Sequence, residues 1–137
     1  MTIRDLRADD LREVVRIDAL RKGRPRTLAG LGGGVRLVAA MEEGGLAGYL
    51  VGEVRAFEFG SEPCGWVHSV AVDPAAARRG VATALLEEAC RRFRADGVER
   101  VRTMVSRGDV PFQSFFRARG FVGGPFVQLE RGLEDRP

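Results

Sequence analysis

The sequence predicts an α/β (α+β) fold, and three observations carry the prediction. Apolar residues switch between two-residue and helical spacing in the order β-α-(α)-β-β-β-α-β-α-β, glycine and proline punctuate nearly every switch, and one strand passes through a glycine turn straight into a helix. With 137 residues the chain is long enough for one domain, spanning 1–137, with a real core.

Thr2 to Arg7 alternates apolar and polar residues as a short strand. Asp10-Leu11-Arg12-Glu13 has the form of a capping box, opening an amphipathic helix whose buried stripe would be Leu11, Val14, Val15 and Ile17. Lys22 to Gly34 is rich in arginine and glycine and contains Pro25, the composition of a loop or short weak helix and an expected mobile lid. Val35 to Met41 and Leu46 to Phe57 read as strands joined by Glu42-Glu43-Gly44-Gly45, an antiparallel hairpin turning at its glycines. A second turn, Gly60-Ser61-Glu62-Pro63, leads into a strand over Trp66 to Val72. The helix after Gly80 would bury Ala82, Leu85, Leu86, Ala89 and Phe93, and Gly97 stands where a C-cap belongs. Val98 to Val105 alternates as a further strand, and Asp109-Val110-Pro111 offers an N-cap with proline just inside a helix running to Arg119. Gly120-Phe121 stops that helix, leaving Phe121-Val122 and Phe126 to Glu130 as last strand material around the break at Gly123-Gly124-Pro125.

Composition narrows the function classes. No apolar run is long and charge-free enough to span a bilayer, and the N-terminus MTIRDLRADD lacks a signal peptide's apolar segment, so a soluble, cytoplasmic protein without a membrane partner is expected. The formal net charge is +3, and Lys22 is the only lysine. Guanidinium suits bidentate phosphate recognition, but an arginine bias follows equally from genomic base composition or adaptation to heat. Acids alternate with the arginines along most of the chain, which argues against the clustered basic stripe of a nucleic-acid-binding protein. Cys64 and Cys90 lack metal-ligand spacing and read as packing residues, so no metal site is expected.

The stretch VAVDPAAARRGVATALL, Val70 to Leu86, carries the chemistry. A β-branched run breaks at Asp73-Pro74 and restarts as a helix behind Arg78, Arg79 and Gly80. The first helical turn leaves backbone N–H groups without intrahelical acceptors, and their summed dipoles attract an anion. Gly80 lets that anion approach the backbone closely, while the arginines add charge. The Gly-Lys-Ser/Thr of a Walker loop and the three glycines of a dinucleotide fingerprint are both missing. Any β-turn-α junction can also carry a glycine and solvated arginines with no ligand at all.

Ala77-Arg78-Arg79-Gly80-Val81-Ala82 resembles the acyl-CoA signature Q/R-x-x-G-x-G/A of the GNAT N-acetyltransferase superfamily, departing from it at Ala77. A second landmark of that family, N-x-x-A…Y-x-x-x-G-F, resembles the segment in which Asp109 stands for Asn, Phe112 for Ala and Phe116 for Tyr, with Gly120-Phe121 matching. The element order is also that of the family, and the resemblance covers nearly the whole chain. It implies a mixed, mostly antiparallel sheet flanked by helices, with acetyl-CoA lying where the fourth and fifth strands splay apart. Pantetheine would pair with the backbone of Val70, Ala71 and Val72, and the pyrophosphate would rest on the N–H groups from Arg78 through Arg79, Gly80, Val81 and Ala82 to Thr83. Asp109 and Phe116 would complete the cofactor-binding set.

Attack of an amine on a thioester needs loss of the amine proton, an N–H donor for the oxyanion and a route out for the thiolate. The Val70 N–H is the expected oxyanion donor. Phe116 replaces the Tyr that usually serves as general acid, so water would protonate the leaving thiolate, a tolerable leaving group with an ordinary pKa near ~8.5. His68, the only histidine, stands two residues from Trp66 and two from Val70, which strand alternation puts on one face. Some family members that acetylate aryl-alkyl amines carry a His at the matching place; His68 is therefore a candidate general base, or else a satisfied or exposed strand residue. Glu53 is the alternative base, acting through water, or a surface residue paired with Arg55 or another neighbour. Trp66 stands where other members have a Glu or Tyr, and it cannot take a proton. Glu58 and Glu62 are turn acids that can attract a cationic acceptor. The resulting expectation is an acetyl-CoA-dependent N-acetyltransferase acting on a primary amine: a protein N-terminus, a lysine or a small amine. A homodimer stays open, and the competing reading is a catalytically silent acyl-CoA-binding regulatory module.

Overall fold

The computed structural model describes residues 1–20, 34–56 and 60–134. The lid expected over Lys22 to Gly34 lies, but for Gly34, outside them, as does Glu58. The chain divides into two compact units, Met1–Met104 and Val105–Pro137.

The first unit holds β1 (Thr2–Asp5), α1 (Leu11–Ala19), β2 (Val35–Ala40), β3 (Leu46–Arg55), β4 (Cys64–Val72), α2 (Val81–Ala95) and β5 (Val101–Thr103). Its sheet runs β1-β2-β3-β4-β5. The first four strands pair antiparallel and β5 joins β4 in parallel, the mixed, mostly antiparallel sheet that the resemblance implied. The β2–β3 turn falls at its glycines, since Gly44 and Gly45 take φ of 89° and 81° and Met41 N–H closes the hairpin on the Gly45 carbonyl at 3.1 Å.

Small residues decide where the helices lie. A Cβ at Gly48 would approach Val81 and Leu85 at 3.0 and 3.4 Å, one at Gly52 the Phe93 ring at 3.2 Å, and one at Gly65 that ring at 2.5 Å. These three glycines clear one face of β3 and β4 for α2, which buries Val81, Leu85, Leu86, Ala89 and Phe93. Val81 rather than Ala82 opens that stripe, because the helix begins one residue before Ala82 and turns the latter half outward. On the opposite face Val14 and Ile17 of α1 pack into a cluster with Val38, Leu46, Tyr49 and Ala71.

Four local expectations fail. Asp10 does not form the capping box with Glu13, because residues 8–10 make a 3-10 turn ahead of α1 and direct the carboxylate backward. There it accepts Arg4 Nη1 and Nη2 at 2.8 and 3.0 Å and the Arg7 N–H at 2.7 Å. The inward face of α1 is set by Val14, Ile17 and Asp18, which leaves Leu11 and Val15 out of the core, at 41% and 56% exposed. The strand expected over Val98 to Val105 shrinks to β5, and residues 121–134 form no strand among the described residues. Gly123, Gly124 and Pro125 break that segment before it accumulates a ladder, and Pro125 has no N–H to give one.

The Asp10 fork yields a stability prediction. Hydrogen bonding to Arg4, helped by the Arg7 N–H and opposed by burial, holds this carboxyl below the ordinary carboxylate range. A lowered folded pKa stabilises above the unfolded value and is lost as pH falls through the folded one. Asp10→Asn should therefore cost about 2 kcal/mol at neutral pH. The gap to wild type should close in acid, as measured by urea unfolding at a series of pH values.

Candidate active site

The strand-turn-helix segment leaves β4 through a pinned turn and opens α2 behind Gly80. Asp73 accepts the Ala75 N–H at 3.0 Å and an ion pair from Arg16 of α1 at 3.0 Å, which pins the chain where it leaves β4. Those two contacts, the backbone N–H first, also hold its carboxyl below the ordinary range. A 3-10 turn at Pro74–Ala76 follows, and the loop then uses left-handed backbone twice, at Arg78 with φ 65° and Gly80 with φ 73°. Arg78 is the only non-glycine residue with positive φ among the described residues, a conformation costing about 1 kcal/mol. Gly80 is the N-cap of α2, and among the described residues no non-neighbouring atom lies within 4 Å of where its Cβ would be. The first intrahelical bond runs from the Ala84 N–H to the Gly80 carbonyl at 3.0 Å, so the Val81 and Ala82 N–H groups precede it at the helix mouth. Ala77, Arg78 and Arg79 are exposed, and Ala82 and Thr83 are half-buried on the first turn. An open, positively flanked helix N-terminus of a 15-residue helix fits a pyrophosphate.

β4 parts from β5 at the level of this loop's entry strand. Parallel pairing covers only Gly65, Trp66 and Val67. The Thr103 hydroxyl then donates to the Val67 carbonyl at 2.9 Å and closes the ladder. Beyond it, residues 69–72 are paired to β3 but have no β5 partner, so Val70, Ala71 and Val72 lie along the splayed edge.

The shared face expected for Trp66, His68 and Val70 is overturned. Val51 pairs Ser69 while Gly52 pairs Val67, which makes His68 the extra residue of a β-bulge. Trp66 lies opposite Glu53, whereas Val70 lies opposite Leu50, three residues away and therefore on the α2 face. The bulge keeps His68 beside Glu53, whose Oε1 is 3.1 Å from the imidazole Nε2. Arg55 Nε approaches the same oxygen at 3.4 Å. The two candidate bases are thus one pair, each more than a third exposed.

Sequence reading missed a buried polar cluster under that bulge. The Tyr49 hydroxyl donates to Asp18 Oδ1 at 2.5 Å and lies 3.0 Å from Ser69 Oγ, with all three residues buried. Asp18 stands one turn from Val14 on the apolar stripe of α1, and a carboxylate on such a stripe is the signal that points to a partner.

In the second unit, Asp109 caps α3 (Val110–Ala118) by accepting the Phe112 N–H at 3.2 Å. Gly120, φ 87°, stops the helix. Phe116 is buried among Phe112, Phe115 and Phe121, ring centroids 5.6, 5.1 and 5.0 Å away. Cys64 is buried and Cys90 half-buried, burial pushing the Cys90 thiol up. Among the described residues no three His, Cys, Asp or Glu side chains gather as a metal site, and no helix is long and apolar enough to cross a membrane.

Solved structures share this fold. An aminoglycoside 6′-N-acetyltransferase from Acinetobacter haemolyticus superposes with TM-score 0.80 at 20% identity, covering 98% of this chain and 100% of its own. Naa20 of Chaetomium thermophilum, solved with a bisubstrate analogue, gives 0.74 at 19%, covering 88% and 70%. The ribosomal-protein-S18-alanine N-acetyltransferase of Escherichia coli gives 0.74 at 22%, covering 87% and 76%. No curated protein sequence matches significantly. The model of the acetyltransferase (GNAT) family matches residues 2–121, through both units and through the loop and the splayed strand, and the chain belongs to that family.

Proposed function

We propose that this chain transfers an acetyl group from acetyl-CoA to a primary amine by direct attack in a ternary complex, and that residues 1–137 act as one domain. The observation that carries the reading is the coincidence of three features on β4: its departure from β5, the bulge at His68, and the contact of His68 with Glu53. The family's acyl donor is acetyl-CoA, and the α2 mouth with Arg78, Arg79 and Gly80 fits its pyrophosphate. Val70, Ala71 and Val72 would offer backbone to the pantetheine, with the Val70 N–H facing the carbonyl oxygen on which charge develops.

In the tautomer that donates Nε2–H to Glu53, the imidazole lone pair falls on Nδ1, which would accept the amine proton while the carboxylate steadies the ring. Water would protonate the thiolate, since Phe116 has no hydroxyl and the only tyrosine, Tyr49, is buried elsewhere. Acceptor candidates are a protein N-terminus, a lysine and a small amine.

Ala77 and Phe116, both departures from the family's pattern, favour a second reading, a silent acyl-CoA-binding module. Thiol release with acetyl-CoA and an amine panel, run beside calorimetry with CoA, separates the two. Turnover on at least one amine is expected; CoA binding without turnover on any would support the silent module, and no CoA binding would overturn both.

A further inference from the structure

We propose that the Tyr49 hydroxyl is a positioning group that fixes the β4 bulge and thereby holds the His68 imidazole at Glu53. The inference rests on the reading of His68 and Glu53 as the proton-accepting pair. A bulge needs a device that specifies where the extra residue goes, because a one-residue slip moves every following side chain to the other face. Here the strand registers on either side of His68 differ by one residue, and Ser69 is the first residue paired again to β3.

Tyr49 reads that register. It pairs Ala71, while Ser69 pairs Val51, so the hydroxyl reaches diagonally across the ladder to Ser69 Oγ at 3.0 Å. Moving the bulge one residue toward Val70 would set His68 opposite Val51 in place of the serine and take the Tyr49 hydroxyl's partner away. From the other side Asp18 accepts the phenol proton at 2.5 Å, which anchors the ring to α1. One hydroxyl therefore ties α1, β3 and the residue next to the bulge. Magnitudes favour this group over the His68–Glu53 contact as the holding device: that pair is exposed, and exposed pairs are weak. The Asp18–Tyr49–Ser69 cluster is buried, where loss of one partner leaves polar atoms unsatisfied.

His68 is the only histidine, so its ring gives one imidazole signal in the NMR spectrum of the full chain, whether or not an amine is acetylated. Tyr49→Phe removes the hydroxyl alone, Ser69→Ala removes only its β4 partner, and Glu53→Gln supplies the spectrum of an imidazole without its carboxylate. With amide spectra showing a folded chain, the His68 signal in Tyr49→Phe and Ser69→Ala should move toward that of Glu53→Gln, and Ser69→Thr should restore it. The turnover number should fall about 10- to 100-fold, as for a misplaced catalytic group, with KM for acetyl-CoA nearly unchanged.

Wild-type His68 signals in folded Tyr49→Phe or, should that variant not fold, in Ser69→Ala would overturn the proposal. Absence of turnover in wild type with the NMR coupling present would instead remove the functional reading and leave the positioning intact.

Discussion

Gly80→Asp should raise the dissociation constant for CoA by at least about 100-fold, the equivalent of ~2.7 kcal/mol, while leaving the chain folded. The position tolerates the substitution locally: among the described residues no non-neighbouring atom lies within 4 Å of the new Cβ, and aspartate is among the residues that accept the left-handed backbone found there, φ 73°. What changes is the mouth of α2. A carboxylate at the N-cap neutralises the helix terminus and projects into the space assigned to the pyrophosphate, turning an attractive field repulsive. Gly80→Asn is the control, because it introduces the same bulk without the charge and should lose much less. Calorimetry decides the matter, and an unchanged affinity in a folded Gly80→Asp protein would remove the anion-loop assignment.

His68→Gln is expected to lower turnover by about 10²–10⁴-fold, the usual contribution of a positioned general base. Glutamine keeps bulk and hydrogen bonding at the bulge but cannot take the amine proton. Glu53→Gln should cost less, because it removes the group that steadies the ring and leaves the ring itself. Turnover within a few-fold of wild type in His68→Gln, with the same pH profile, would transfer the base role to Glu53 through water or to solvent.

The periodic elements were legible because each carried its own punctuation. The glycines at 44 and 45, the glycine N-cap at 80, the C-terminal Gly97 and the Asp109 cap with Pro111 all act within a few residues of where they stand, and each ends or starts an element where the sequence put it. The last strand and most of β5 were not legible, since alternation cannot report whether a pairing partner exists. The bulge at His68 was invisible for a related reason. It is a mismatch between two strands, and neither strand alone contains it, so plain alternation put Val70 on the wrong face. Asp18 and Tyr49 are 31 residues apart, and only the packing of α1 on β3 makes them neighbours.

The Thr103 hydroxyl on the Val67 carbonyl bears on solubility as well as on ligand placement. By ending the β5 ladder it leaves residues 69–72 of β4 without a β5 partner, and a row of peptide groups so placed can pair with an extended chain, including that of a neighbouring molecule. A bound acyl donor would cover the groups that otherwise template association. At about 100 times its dissociation constant it would also add roughly 2.7 kcal/mol to the folded state. The colloidal behaviour of this chain should therefore follow the supply of its donor: concentrated, ligand-free samples should aggregate first, and from the native state.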